Sequence, residues 1–387
     1  MAGRRPELRI GILERGAEVL GKVKISGGGR CNVTHACFIP NELAKFYPRG
    51  GNELKSPFHI FCSGDTMQWF ADRGVKLKIE DDNRMFPITD SSQTIIDCFV
   101  NEARKYGVKI ITQTSVQSIE KQEAQWLIST NKDAFRADYL VMATGSNPKI
   151  WDICQKMGHQ IVSPVPSLFT FNVKNAEYNQ LMGISVENVS LKIKEANLKS
   201  LGALLITHWG FSGPAILKLS AWGARELHQL NYHFTLQINW TADYSFNEIL
   251  DELMEYKQQN AKKQIAKYTQ YQLTNRLWQQ LVQSSGISSS TIWADATKKQ
   301  LVKLAELLTN STFEVKGKST FKEEFVTAGG IELKEINFKT MESKLFPNLF
   351  FAGEILNIDA ITGGFNFQNA WTTGFITAQT ISERVLE

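Results

Sequence analysis

The chain lacks the features that mark membrane, secreted and metal-dependent proteins. Its 387 residues hold no run approaching the ~18 apolar residues a membrane span needs, so no membrane partner is expected. The basic start, Met1 to Pro6, leads into glycine and lysine where a secretion signal would carry an apolar core. Its five cysteines (Cys31, Cys37, Cys62, Cys98, Cys154) form no CxxC pair and leave an odd thiol, which fits a reducing compartment. Cytoplasmic localisation is the expectation. The six histidines show no ligand spacing with Cys, Asp or Glu, so no metal site is expected. No sequence repeat is apparent.

What is present is ordinary for a globular protein: 43% hydrophobic and 21% charged residues. The length predicts two or three domains, so insertion of one into another has to be tested. A net charge of +4 does not oppose a polyanionic partner and by itself decides nothing.

Residues 9–14 read as a short buried strand ending at Glu14, followed by a lysine- and glycine-rich loop from Gly21 to Asn32. Helical spacing runs from Gly64 to Gly74 and from Thr94 to Tyr106, with strands at 108–112 and 139–143 and alternating runs at 116–119 and 125–129. Past Pro164 the alternation at 168–173, 186–193, 203–207 and 232–238 predicts an all-β module, resumed at 312–315 and 325–327. The Gln- and Lys-rich stretch between Phe246 and Asn310 predicts a small helical bundle broken only at 284–290. A last helix is expected from about Phe367.

Several residues have the chemistry of a nucleotide site. Glu14, at the tip of an apolar strand, is the type of residue that grips a ribose hydroxyl about 20 residues past a G-x-G-x-x-G turn; that turn would lie ahead of residue 1, and an ordinary surface carboxylate is the competing reading. Gly27, Gly28 and Gly29 expose backbone N–H groups without side chains to fence off an anion. Thr362-Gly363-Gly364-Phe365-Asn366 precedes the last helix, so its free N–H groups suit an electron-rich or anionic group. His208 follows a strand and precedes a helix expected to be capped by Ser212. It is either an anion-binding or proton-donating group or a structural histidine. Cys31 reads as a packed thiol, having no second cysteine at redox spacing.

The segments GKVKISGGGRCN (21–32), Ala143-Thr144-Gly145, His208-Trp209-Gly210-Phe211-Ser212-Gly213-Pro214 and Gly353-Glu354 with Thr362 to Asn366 together resemble the HI0933/YhiN/BaiN family of flavoproteins. The resemblance runs from about Glu14 to the end in the same order. It implies an α/β fold: a Rossmann-like FAD-binding domain, N-terminally truncated, formed by 1–165 and 332–387. A β-barrel-like domain (166–244 and 311–331) and a helical insert (245–310) complete the expected organisation.

Under this resemblance Glu14 would hold the adenosine ribose. Ser26, Gly27, Gly28, Gly29, Arg30, Cys31 and Asn32 would lie against the cofactor, with Arg30 and Lys22 offsetting phosphate charge; Lys24 reads as solvated surface. Thr144 and Gly145 would pass near the adenosine half, though a plain strand-ending turn uses the same residues. Gly353 and Glu354 would face the ribityl hydroxyls. Gly363, Gly364, Phe365 and Asn366 would contact the flavin ring. Gly329 and Gly330 would lie near the ring or act as a hinge. The implied activity is hydride transfer between NAD(P)H, FAD and an unsaturated substrate, either a small molecule or RNA. The mild basicity and the Lys/Gln-rich helical stretch make a uridine of ribosomal RNA the second-level expectation. The rival from another class is a cofactor-deficient remnant or RNA-binding protein of the same fold.

Overall fold

Two parallel strand pairs form the α/β part of the computed structural model. Gly11–Leu13 pairs with Lys109–Ile111, setting Ile12 opposite Ile110. Leu140–Met142 pairs with Leu349–Phe351, and all three residues of the latter strand are buried, as expected of a parallel strand covered on both faces. Residues 1–3, 5–174, 178, 180–242, 244–319 and 326–385 are described. The chain divides into two units, Met1–Pro166 with Lys322–Glu387, and Ser167–Phe321.

The first unit adds an antiparallel meander, Val116–Gln122, Gln125–Thr130 and Ala134–Ala137, and a three-stranded sheet in which Arg84–Pro87 lies between Thr34–His35 and Leu77–Ile79. Its helices start where the local chemistry dictates. Ser91 accepts from the Gln93 N–H ahead of Ser92–Lys105, and Asn147 accepts from the Lys149 N–H ahead of Pro148–Met157. The helix Phe365–Arg384 buries an unusually polar face: Gln368, Asn369, Thr372, Thr373, Thr377 and Thr380 are all inside.

The second unit is a closed barrel with strand order Thr170–Val173, Gly210–Ser212, Leu198–Thr207, Ser185–Ile193, His233–Asn239 and Ser311–Ser319. Closure leaves no free sheet edge to pair with another chain. Three helices, Phe246–Gln259, Asn275–Ser284 and Lys298–Asn310, bury Leu253, Trp278 and Leu304 in the same core as barrel residues Leu191, Leu236 and Phe313.

Several sequence expectations change. The helical stretch shares one hydrophobic core with the barrel instead of forming a body of its own, and it is interrupted twice, after Gln259 and after Ser284. Val326–Ile331 pairs with Ile161–Ser167 and so belongs to the first unit, not to the β module; Phe325, expected to begin that strand, lies outside the described residues. The expected loop at 21–32 contains a short helix, Gly21–Ile25, and a tight turn, Ser26–Gly29. Ser212 ends a strand, and Gly213 takes the cap position before Pro214–Trp222. The helix Gly51–Ile60 escaped the periodicity reading because Pro57 sits inside it. No helix among the described residues is long and apolar enough to cross a membrane. No group of three or more His, Cys, Asp or Glu among them is placed to hold a metal ion.

Candidate cofactor site

The glycine-rich segment and the start of the last helix meet in the first unit. With its amide oriented to satisfy both neighbours, Asn32 accepts from the Gly364 N–H at 3.0 Å and donates to the Thr34 carbonyl at 3.0 Å. Thr34 Oγ1 donates to Gln368 Oε1 at 2.6 Å, and Trp371 Nε1 donates to the Val33 carbonyl at 2.9 Å. Gly364 itself stands at φ 89°, and a Cβ there would come within 2.7 Å of the Thr34 backbone. Glycine is required here by both conformation and space. Tyr47 reaches the same place, its hydroxyl donating to the Phe365 carbonyl at 2.6 Å; complete burial raises its pKa well above the ordinary value.

On the other side of the segment, Gly28 and Gly29 adopt left-handed φ of 67° and 84°, and a Cβ on either would meet nothing within 4 Å. Their backbone therefore borders open space, the condition for a ligand to approach the main chain directly. Ser26 donates to the Val23 carbonyl at 2.9 Å. Cys31 is fully buried and its thiol is pushed up to about 11 by that burial, so it packs and is not a nucleophile.

A second junction links the strand ends. Lys22 donates to Glu354, and a Cβ on Gly145, which sits at φ 61°, would stand 3.6 Å from Glu354 Oε2. The turns after the strands Leu140–Met142 and Leu349–Phe351 thus converge on one carboxylate and one lysine. Thr144, just before Gly145, is exposed. Gly353 lies against the last helix, its N–H donating to Thr373 Oγ1 at 2.9 Å. Gly329 and Gly330 are packed hard: added Cβ atoms would come 2.6 Å from Pro164 Cα and 2.5 Å from the Ile355 carbonyl oxygen. Glycine is required at both positions because backbone packs directly against backbone.

Other expected contacts are otherwise engaged. Arg30 pairs with Glu80 at 2.6 Å and with Asp90 at 3.4 Å and lies over the Phe86 ring at 3.9 Å, and the Glu80 hydrogen bond raises its pKa. Its charge is balanced within the protein by Glu80 and Asp90, as that of Lys22 is by Glu354. Asn366 is clipped to Ala360, accepting from its N–H at 3.0 Å and donating to its carbonyl at 3.2 Å. Glu14 accepts from the Gly16 N–H at 2.5 Å through Oε1. His208 belongs to the second unit, exposed on the turn between Leu198–Thr207 and Gly210–Ser212 with its ring edge-on to Trp209.

The structure adds residues that spacing did not reveal. His35 stacks on Phe365 with ring centroids 4.6 Å apart and tilts against Phe46 at 5.7 Å. Burial lowers its pKa against the opposing pull of Asp82, which favours the neutral imidazole. His35 Nδ1, Asn357 Oδ1 and Asn369 Oδ1 are buried without a hydrogen-bond partner. Such groups are uncommon and call for a partner; all three lie on the segments that adjoin Gly353, Gly363 and Gly364. A ligand with hydrogen-bonding edges, such as a flavin, fits that need together with the open backbone at Gly28 and Gly29. Arg49 forms a bidentate pair with the fully buried Asp359 beneath this region. A signal for part of this was present in the sequence: Gln368 and Thr372, four apart on the last helix, mark a polar stripe where a buried helix ordinarily carries apolar residues.

A ribosomal RNA dihydrouridine synthase of Haemophilus influenzae is 26% identical over 97% of this chain and 93% of its own length. A 3-dehydro-bile acid delta(4,6)-reductase of Clostridium scindens is 21% identical over 98% of this chain and 94% of its own. Among solved structures, a 3-ketosteroid-delta4-(5alpha)-dehydrogenase from Rhodococcus jostii shares the fold with a TM-score of 0.51 at 13% identity, covering 98% of this chain and 93% of that one. The family model described as the HI0933-like protein Rossmann domain matches residues 1–380, so the chain belongs to the HI0933-like family of FAD-dependent oxidoreductases.

Proposed function

We propose that this protein is a reductase that, with FAD bound and NAD(P)H as the source of hydride, saturates a carbon–carbon double bond conjugated to a carbonyl, with a uracil ring of RNA as the favoured substrate. The observation that carries the reading is the junction of Asn32 with Gly364, on segments that carry open backbone at Gly28 and Gly29 and buried polar atoms of His35 and Asn369 without a protein partner. The two curated relatives described above are named for saturating such bonds, one in RNA and one in a bile acid.

Bound FAD supplies the two-electron chemistry. The chain's own residues bind and orient. The Lys22–Glu354 pair offers a cation for phosphate and a carboxylate that accepts from ribityl hydroxyls. Asn32 holds Gly364, and with it the start of the Phe365–Arg384 helix, whose positive end favours negative charge on an adjacent ring. His35, held neutral by burial, presents Nδ1 as a hydrogen-bonding group that adds no charge.

Anaerobic mixing of the FAD-loaded protein with NADH or NADPH tests the reading. Flavin absorbance should bleach, and a uridine-containing RNA or a simple enone should restore it. Flavin that stays oxidised with both nucleotides excludes the proposal.

A further inference from the structure

The charge of this chain is unevenly distributed. Residues 256–303 carry eight basic side chains (Lys257, Lys262, Lys263, Lys267, Arg276, Lys298, Lys299, Lys303) against one acidic, Asp295, a net of +7 in a chain whose total is +4, so the remainder is at −3. The mild overall balance hides a basic segment, bounded by Glu255 and by Glu306, which pairs with Lys303 at 3.0 Å.

The fold of the second unit concentrates part of this charge. Gln264 and Ile292 form an antiparallel bridge, with the Trp293 N–H donating to the Lys263 carbonyl at 2.9 Å and the Ala294 N–H to the Ala261 carbonyl at 2.9 Å. The chain bearing Lys262 and Lys263 is thereby laid along the chain that leads, through Asp295 to Thr297, to Lys298 and Lys299. Lys257 donates to the Ala296 carbonyl and joins the two segments from the preceding helix. Lys262, Lys263, Lys298 and Lys299 are exposed, and no acid occupies the first turn of Lys298–Asn310. Two lysines at the positive end of a 13-residue helix oppose its macrodipole. Folding alone gains nothing from that placement, whereas a bound polyanion reverses its sign. Tyr268 is 49% exposed, with Lys263 Nζ 5.7 Å from its ring centroid. An exposed aromatic face beside a cation is a surface on which an unpaired base stacks while phosphates meet the lysines.

We infer that this face of the second unit, centred on Lys262, Lys263, Tyr268, Lys298 and Lys299, is a docking surface for RNA containing unpaired nucleotides. The inference deepens the reductase reading, resting on it for the fate of the docked RNA but not for the binding itself.

Fluorescence anisotropy with a labelled RNA stem-loop, in a salt series, tests it on the full chain. The wild type should bind with affinity that falls steeply with salt, by about 0.7–0.9 in log–log slope per phosphate contact. The quadruple variant K262E/K263E/K298E/K299E should bind at least about tenfold more weakly with a flatter salt slope, and Tyr268→Ala should weaken binding by roughly fivefold or more with the slope kept. A quadruple Lys→Gln variant gives the same reading should charge reversal impair folding. Binding unchanged in these variants, no binding by the wild type, or tighter binding to anionic phospholipid vesicles than to RNA would overturn the inference. Flavin reduction by NAD(P)H and enone turnover, measured on the same variants, separate the two claims: lost docking with intact turnover leaves the reductase standing, and intact docking without turnover leaves the surface standing.

Discussion

His35 and Phe365 stack with ring centroids 4.6 Å apart, across 330 residues of sequence, and Phe46 closes a triangular cluster, 4.3 Å from Phe365 and 5.7 Å from His35. This aromatic stack ties the end of the glycine-rich segment to the first residue of the last helix. Aromatic contacts of this kind are worth about 0.5–1.5 kcal/mol each beyond their buried area, enough to hold the junction in register. A protonated His35 would lose part of this, because burial disfavours the cation.

The pH dependence of stability follows from that sign. His35 has a folded pKa below the ordinary 6.5, so the unfolded chain binds more protons as pH falls through 6.5, and stability declines until the lower folded value is passed. Chemical denaturation of the cofactor-free protein across that interval should show the decline. The His35→Asn variant should show a shallower one; equal slopes would contradict the assignment.

Gly364 and Gly374 make a controlled pair on or beside one helix. Gly364→Ala forces a Cβ to within 2.7 Å of the Thr34 backbone at φ 89°, and should destabilise by about 1–3 kcal/mol and weaken flavin binding. Gly374→Ala meets nothing within 4 Å, in a helix interior, and should be neutral or stabilising by up to about 1 kcal/mol. Thermal melts and flavin titrations of both variants check this. Similar behaviour of the two would deny that Gly364 is held against Thr34.

Asp359 is fully buried against Arg49. Asp359→Ala leaves a buried guanidinium without its carboxylate and should cost about 3–5 kcal/mol, seen as a large fall in denaturation midpoint. A loss below about 1 kcal/mol would show that solvent reaches the pair.

The sequence carried the local features of this fold. Strict alternation exposed the strands Ser185–Ile193 and His233–Asn239, and the glycines of 27–29 and 363–364 marked backbone at positive φ, of which only Gly28 and Gly29 border open space. Pairings between distant residues were not visible, because hydrophobic period records which face is buried and not what covers it. Thr34 meets Gln368 across 334 residues, and Arg49 meets Asp359 across 310. The commitment of Arg30 to Glu80 and Asp90 was hidden for the same reason. His35, three residues past Asn32, lay outside the glycine-rich motif. Only its unpartnered Nδ1 and its stack on Phe365 mark it as part of the site.

Whether the junction of Ser26–His35 with Gly363–Gln368 holds a flavin is decided by titration with FAD. Adding FAD to the purified full chain should give a saturable change in flavin fluorescence at about one FAD per chain, and Gly364→Ala should weaken it. A folded, colourless protein that takes up no flavin at any FAD concentration would contradict the account.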